Sequence, residues 1–518
     1  MNTPVPRQFA AVAGLVAGGL AVTVGMFVAS LTKVVSPIDA VGSEVIDHTP
    51  LWLKEQAIQW FGTDDKLALR IGIVSILALA AVCVGLLAVR RIWLGVAGIA
   101  IFGVVGSVAA AGRPGESAGA ALPSFLGAAA GALVLYRLVR PRSVDADGAS
   151  GVAASWDRRR FLVTGGATAA GAVVAGAMAR VVEERRVDQI RESIQTPLPS
   201  LVAPALDAPV VDAPDQMQEI PPDAELFDET SYLTPNDEFY RIDTALSFPN
   251  VDIDNWSFEI KGMVDRPMKF TYADLLALPQ AERTVTLCCV SNEVGGDLIG
   301  NAVFRGVMLR DLLDMAGVRS TAEQVYSTSL DGWTSGFPVE VAFDGRDAMV
   351  AIGMNGETLP LEHGYPARLV VPGLYGYVSA TKWLAEIKLT TWDDEGYWVP
   401  RGWAALGPVK TQSRIDVPRT RSVAAGKQAI AGVAWAQHRG IEQVEVQVDD
   451  GPWQMATLAA DVSIDTWRQW LLEWEPTPGK YTVRVRATDK TGETQTELQT
   501  PVAPNGATGH HTIRVTVE

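Results

Sequence analysis

The sequence predicts a chain of three structural parts: an amino-terminal bundle of membrane-spanning helices, a central α+β domain and a carboxy-terminal all-β sandwich. Three observations predict it. Five long apolar runs crowd into the first third of the chain. Residues from about 232 to 412 mix short strands with short helices, without βαβ alternation. The last stretch alternates apolar and polar residues between turn signals. The expected boundaries are 1–182 for the membrane part, 183–230 for a linker, 231–412 for the central domain and 413–518 for the last.

The bulk numbers agree with this division. The chain has 518 residues and a formal charge of −16. A strongly acidic chain lacks the basic face that nucleic acid demands, so that partner class is excluded. Mean hydropathy is +0.14, and the apolar excess lies in the first third. Three cysteines, Cys83, Cys288 and Cys289, cannot form a disulfide framework, so cysteine usage does not report the compartment.

The membrane runs are about Phe9 to Leu31, Leu69 to Val89, Ile92 to Ala111, Ala118 to Val139 and Phe161 to Ala179. Each has roughly the 20 apolar residues that a helix needs to cross hydrocarbon. Arg90 and Arg91 join the second and third; Arg137, Arg140, Arg142 and Arg158 to Arg160 join the fourth and fifth. Arg-rich loops stay cytoplasmic, which predicts an odd number of spans and a catalytic part on the extracytoplasmic face of the cytoplasmic membrane. Asp157 to Leu162 also looks like an internal twin-arginine export signal; an ordinary positive-inside anchor gives the same topology. None of the five histidines falls inside a span, so no membrane haem is expected in this chain. From about Glu183 to Thr230 the chain is rich in Pro, Ala, Asp and Glu and lacks periodicity, as a linker does.

In the central part, Trp256 to Gly262 alternates like a strand. Thr271 is an N-cap for a short helix, Val307 to Ala316 reads as a helix closed by Gly317, and Arg368 begins a buried strand. No GxGxxG follows a strand, so a Rossmann domain is not expected. The most informative stretch is Thr286-Leu-Cys-Cys-Val-Ser-Asn-Glu-Val-Gly-Gly-Asp. A β-like run delivers a thiol to the start of a Gly-rich loop, where a bulky ligand can approach the backbone. Successive strand side chains face opposite ways, so only one of Cys288 and Cys289 can point at a metal. Taken alone, each residue here has an ordinary structural reading. Cys289 is a packing thiol, His363 a surface turn residue, Arg368 the partner of a buried carboxylate and Lys382 a solvated strand residue.

Five motifs in order resemble the sulfite oxidase family of molybdenum enzymes. They are Thr234 to Asp243, Cys289 to Gly296, Asn301 to Leu313, Asp331 to Thr334, and Met354 to Gly376 with its continuation Tyr377 to Leu384. The resemblance implies a sulfite-oxidase-type fold, a molybdenum-molybdopterin cofactor and two-electron oxygen-atom transfer. It selects Cys289 as the metal ligand, a soft thiolate suited to such a metal. It implies cofactor contacts from Asp237, Tyr240, Arg241, Ser329, His363, Arg368, Tyr377, Ser379 and Lys382. Arg368 serves the pterin phosphate with its rigid fork of donors. Arg241, Tyr397 and Arg401 are the expected catalytic or substrate contacts beside Cys289; packing is an equal reading for the Trp-rich turn that holds the last two.

The sequence also departs from the family. Where animal and plant members carry an arginine pair for the sulfite anion, Glu293 and Val294 stand here. An acid there repels an oxyanion, which weakens sulfite as substrate and leaves the metal site intact. The last domain alternates at Val444, Val446 and Val448, at Tyr481, Val483 and Val485, and at Ile513, Val515 and Val517. About seven short strands without a cysteine pair suggest an immunoglobulin-like sandwich, with Trp435, Trp467, Trp470 and Trp474 in its core. The resemblance implies a homodimer through this domain, a small-molecule substrate that gives or accepts an oxo group on sulfur or nitrogen, and a separate electron carrier.

The leading reading is a membrane-anchored molybdopterin oxidoreductase. The alternatives are a sulfoxide reductase of the same fold, or a cofactor-free membrane-anchored interaction protein.

Overall fold

The computed structural model describes residues 5–50, 65–113, 116–140, 157–194 and 217–518, with a few short pieces between. Most of the expected linker, from 195 to 216, lies outside the described residues. The chain forms two compact units, Met1–Ile190 with Thr244–Asn250, and Arg191–Asp243 with Val251–Glu518.

The first unit is helical. Its principal helices are α1 Arg7–Thr32, α2 Pro37–His48, α3 Asp65–Arg90, α4 Ile92–Ala111, α5 Leu122–Val139 and α6 Arg158–Ile194. Five helices among the described residues are long and apolar enough to cross a membrane: Arg7–Thr32, Lys66–Arg90, Ile92–Ala111, Ala118–Val139 and Arg158–Glu192. These are the five runs expected from hydropathy. Glycine sets the packing of α1 on α3: a Cβ at Gly14 would stand 2.0 Å from the Ala81 carbonyl oxygen. Backbone contact of that kind gives apolar helices dispersion energy where the hydrophobic effect between them is absent. The short α2 is started by Ser36, whose hydroxyl accepts from the Asp39 N–H at 3.1 Å.

One expectation is corrected here. The linker was expected to begin at Glu183, yet α6 runs unbroken to Ile194. Glu183, Glu184, Arg185 and Arg186 are good helix formers, and Arg180 pairs with Glu184 at 2.8 Å one turn away. Charge composition ends an apolar run; it does not end a helix.

The second unit contains four sheets. Its central part has β1 Ser257–Gly262, β2 Met268–Thr271, β3 Ala281–Cys288, β4 Ile299–Met308, β5 Gln324–Ser329, β6 Thr334–Pro338, β7 Met349–Met354, β8 Glu357–Thr358, β9 Arg368–Val370 and β10 Leu384–Thr390. One sheet has the order β8-β7-β4-β3, with β9 also paired to β7. The other has the order β2-β1-β10-β5-β6. β1 and β10 run parallel; their neighbours are antiparallel. The short helix after β2 opens on a complete capping box at Thr271 and Asp274. The expected helix from Val307 begins two residues later, at Leu309, because Val307 and Met308 finish β4. It ends on Gly317 at φ +72°, as expected.

The last part has two sheets around one apolar core, among whose residues are Trp470, Val444, Val483 and Val515. They are built from β11 Gln412–Val417, β12 Ser422–Val423, β13 Gln428–Trp435, β14 Ile441–Val448, β15 Gln454–Met455, β16 Thr457–Leu458, β17 Arg468–Trp474, β18 Gly479–Asp489 and β19 His511–Val517. The orders are β11-β13-β17-β16 and β12-β19-β18-β14-β15. Trp435, Trp467 and Trp470 are buried, and Trp474, also expected in the core, is only partly buried, packed against that core.

Candidate functional site

The thiol of Cys289 sits one residue past the end of β3. Five consecutive residues there, from Val285 to Cys289, are buried, so the strand is held on both faces. A tight turn follows: Asn292 N–H donates to the Cys289 carbonyl at 3.1 Å, and Ser291 N–H donates to Cys289 Sγ at 3.4 Å. Burial pushes both thiols up. The positive charge of Lys382 and the Ser291 bonds oppose this at Cys289; the Asn292 side chain and Arg414 oppose it at Cys288. The two thiols therefore answer to different neighbours, and Cys289 is the one associated with Lys382.

Lys382 belongs to a group of cations gathered from distant segments. Its Nζ donates to Asp243 Oδ2 at 3.2 Å and to the Glu362 carbonyl at 3.1 Å. Arg241 Nε shares the same carboxylate at 3.0 Å. Arg368, only 4% exposed, donates to the His363 carbonyl at 3.1 Å and lies over the Phe304 ring, and makes no ion pair among the described residues. Burial lowers Lys382 to about 8 and Arg368 to about 10. Lys382 and Arg241 thus share the carboxylate of Asp243 while Arg368 has no ion-pair partner among the described residues, and desolvated positive charge without a counterion is costly unless an anion completes the set.

His363 closes a short 3-10 turn, Leu361–His363. Its Nε2 lies 2.7 Å from the Asn236 carbonyl, which can only accept, so Nε2 carries the proton and Nδ1 is a bare acceptor. Nδ1 is buried without a partner. Burial lowers this imidazole to about 4, so it is neutral at neutral pH. Asn292 Oδ1 accepts from Leu298 N–H at 2.9 Å, and its amide turns to the Cys288 thiol. An excess of buried cations and a bare acceptor beside a thiol fit a ligand that carries phosphate, a hydrogen-bonding heterocycle and a thiophilic metal.

A pH prediction arises here. The folded value of His363 lies below the unfolded value of 6.5, so the unfolded chain takes up a proton first. Stability present above that value is lost as pH falls toward 4, by on the order of 3 kcal/mol. Chemical denaturation of cofactor-free protein at several pH values should show this decline, and His363→Gln should flatten it. Equal pH dependence in the two proteins would contradict the assignment.

The other expected contacts divide. Tyr240 stacks on Phe239 at 5.2 Å; burial, then the charge of Cys289, raises its hydroxyl, so it belongs to the cluster. Asp237 is exposed. Ser329 Oγ accepts from Asp331 N–H at 3.4 Å and shapes the β5–β6 turn. Ser379 Oγ donates to the Tyr375 carbonyl at 3.1 Å. Tyr377 turns its hydroxyl to the Ala404 carbonyl at 2.7 Å and packs against Trp403. Tyr397 and Arg401 pair with each other: the guanidinium lies 3.7 Å from the ring centroid, and Nη1 donates to the Tyr397 carbonyl at 2.5 Å. The structure draws Arg368, Lys382, His363, Tyr240 and Arg241 into the cluster, while Tyr397 N–H donates to the Thr334 carbonyl at 3.0 Å beside the β5–β6 hairpin. A cleft of about 180 Å³ opens elsewhere, between Gln324, Tyr377, Trp392 and Trp398. It lacks every member of the cation cluster, and the chemistry of the cluster outweighs its shape.

Sequence reasoning missed Asp243, Asn236 and Asn292. Asp243 lies in the same Arg-Ile-Asp segment as Arg241, and Asn292 lies in the cysteine loop itself. Their value is visible only once Lys382 and Leu298 are brought to them.

The family described as an oxidoreductase molybdopterin binding domain matches residues 245–398. The chain is 31% identical over 272 residues to sulfite oxidase from Arabidopsis thaliana, a match covering 43% of this chain and 69% of that protein. It is 35% identical over 156 residues to the uncharacterized oxidoreductase YuiH of Bacillus subtilis, covering 30% and 76%. Mitochondrial sulfite oxidase of Rattus norvegicus is 30% identical over 300 residues, covering 49% and 54%, so the chain spans about half the length of that relative.

Proposed function

The chain belongs to the sulfite oxidase family of molybdopterin oxidoreductases, and on that premise we propose that it carries out oxygen-atom transfer outside the cytoplasmic membrane, to which its apolar helices anchor it. When bound, the molybdopterin supplies the metal centre at which the two-electron chemistry takes place. The rest falls to this chain. Cys289 offers the thiolate ligand. Arg368 and Lys382 neutralise the phosphate, and Asp243 keeps Lys382 and Arg241 in place. His363 accepts a hydrogen bond at Nδ1, and Tyr240 packs the wall. The observation that carries the reading is the buried cation excess beside a buried thiol. Metal analysis of purified full-length protein tests it: about one molybdenum per chain is expected, and its absence would favour a cofactor-free protein.

The substrate is a small molecule with an oxo group on, or a lone pair at, sulfur or nitrogen. A second reading, reduction of a neutral sulfoxide, is supported by Glu293. This acid stands exposed in the cysteine loop, where a sulfite-binding enzyme needs positive charge. Turnover assayed with sulfite and with a dialkyl sulfoxide separates the two. The carboxy-terminal domain is read as an immunoglobulin-like sandwich that supports a homodimer, and a separate carrier exchanges the electrons.

The topology follows from the Arg-rich loops. Alkaline phosphatase fused after Glu518 should be active, and a fluorescent protein that matures only in the cytoplasm should stay dark there. The reverse pattern would mean that one span was miscounted, with α6 the first suspect.

A further inference from the structure

The segments on either side of Cys289 are held by the carboxy-terminal part of the chain. Thr286 lies three residues before the cysteine. Its N–H donates to the Asp465 carbonyl at 3.0 Å, and its carbonyl accepts from Gln437 Nε2 at 3.0 Å. Its hydroxyl accepts from Trp467 N–H at 2.7 Å and donates to Asn301 Oδ1 at 2.8 Å. β3 is the end strand of its sheet, so these bonds stand where a neighbouring strand would.

After the cysteine the loop has two further supports. The Gly296 carbonyl accepts from Arg414 Nη1 at 2.9 Å, and Arg414 is itself fixed by Asp416, with Nε at 2.6 Å from Oδ1 and Nη2 at 3.2 Å from Oδ2. Gly295, at φ +80°, lies against the His511 ring so closely that a Cβ would stand 2.4 Å from it. The ring is oriented by Ile415 N–H, which donates to Nδ1 at 2.9 Å. Both supporting side chains come from strands of the last two sheets, β11 and β19.

We propose that Arg414 and His511 are positioning residues for the metal ligand: they clamp the loop after Cys289, and through it they set where the thiolate stands. A ligand held only by its own strand end has a free side; this one is gripped before and after. The proposal rests on Cys289 being the ligand, as read above, and deepens that reading. Groups that orient a ligand typically change affinity or turnover by about tenfold to a hundredfold when removed.

The test uses full-length protein with cofactor. Arg414→Ala should lower kcat by about tenfold to a hundredfold with KM moved less than about twofold, and Arg414→Lys, which keeps a donor and the charge, should restore most of it. Gly295→Ala should be equally harmful alone. Combined with His511→Ala it should cost less than the two losses added together, since the clash is gone and only the strain of Ala at a positive φ remains. A second measurement needs no metal. In full-length protein made without cofactor, iodoacetamide should label Cys289 several-fold faster in Arg414→Ala than in the parent, with Cys83 unchanged. Unchanged labelling and unchanged kcat in a folded Arg414→Ala protein would overturn the proposal. So would full additivity of Gly295→Ala and His511→Ala. If the parent protein holds no molybdenum, the ligand reading fails by itself, and the labelling comparison still decides whether the clamp positions the thiol.

Discussion

Replacing Cys289 by Ala should abolish turnover, while Cys288→Ala should keep a measurable part of it. Both thiols are buried, so exposure does not separate them. Their neighbours do: Lys382 acts on Cys289, and Arg414 and Asn292 act on Cys288. Loss of a metal ligand exceeds the roughly tenfold to hundredfold cost of losing a supporting group. Cys288→Ala removes a buried thiol that packs and donates weakly to the Cys289 carbonyl at 3.5 Å, at a cost in stability of about 1–3 kcal/mol. Assays of both variants with the metal content of each decide the matter. An active Cys289→Ala protein beside an inert Cys288→Ala protein would reverse the ligand assignment.

Replacing Arg368 by Met should move two quantities in opposite directions. Molybdenum content should fall, because each charge-assisted bond to a phosphate is worth about 1.5–3 kcal/mol, or roughly tenfold to a hundredfold in affinity. The cofactor-free chain should become more stable. Its buried guanidinium is depressed from 12.5 to about 10, and both states are protonated at neutral pH, so the folded state carries a penalty on the order of 3 kcal/mol that Met removes. A structural arginine would give the opposite second result, since its loss would destabilise the chain. Denaturation of the cofactor-free pair, with metal analysis of the loaded pair, tests both arms.

The parts of this protein that repeat along the chain were legible in its sequence. The five long apolar helices followed from hydropathy, the Thr271 N-cap from residue type, and the Val444 and Val483 strands from alternation. Cys289, His363, Arg368 and Lys382 were reached through motif order. What escaped lies in contacts between distant residues. Asp243 holds Lys382 across 139 positions, and no local pattern announces it. The contact of Arg401 with the Tyr397 ring, 3.7 Å from its centroid, was likewise not foreseen, although the two stand four residues apart in one turn. The run from Glu183 to Ile194 escaped because polarity was taken for loss of helix.

The grip on the cysteine loop also has a schedule. The Gly296 carbonyl waits for a residue 118 positions later, and Thr286 for one 181 positions later. His511 belongs to the final strand. A ribosome that has delivered the central domain has therefore not yet delivered what holds its cysteine loop. On the reading that Cys289 is the metal ligand, the loop that would hold the cofactor is therefore complete only once strands of the last two sheets have joined it.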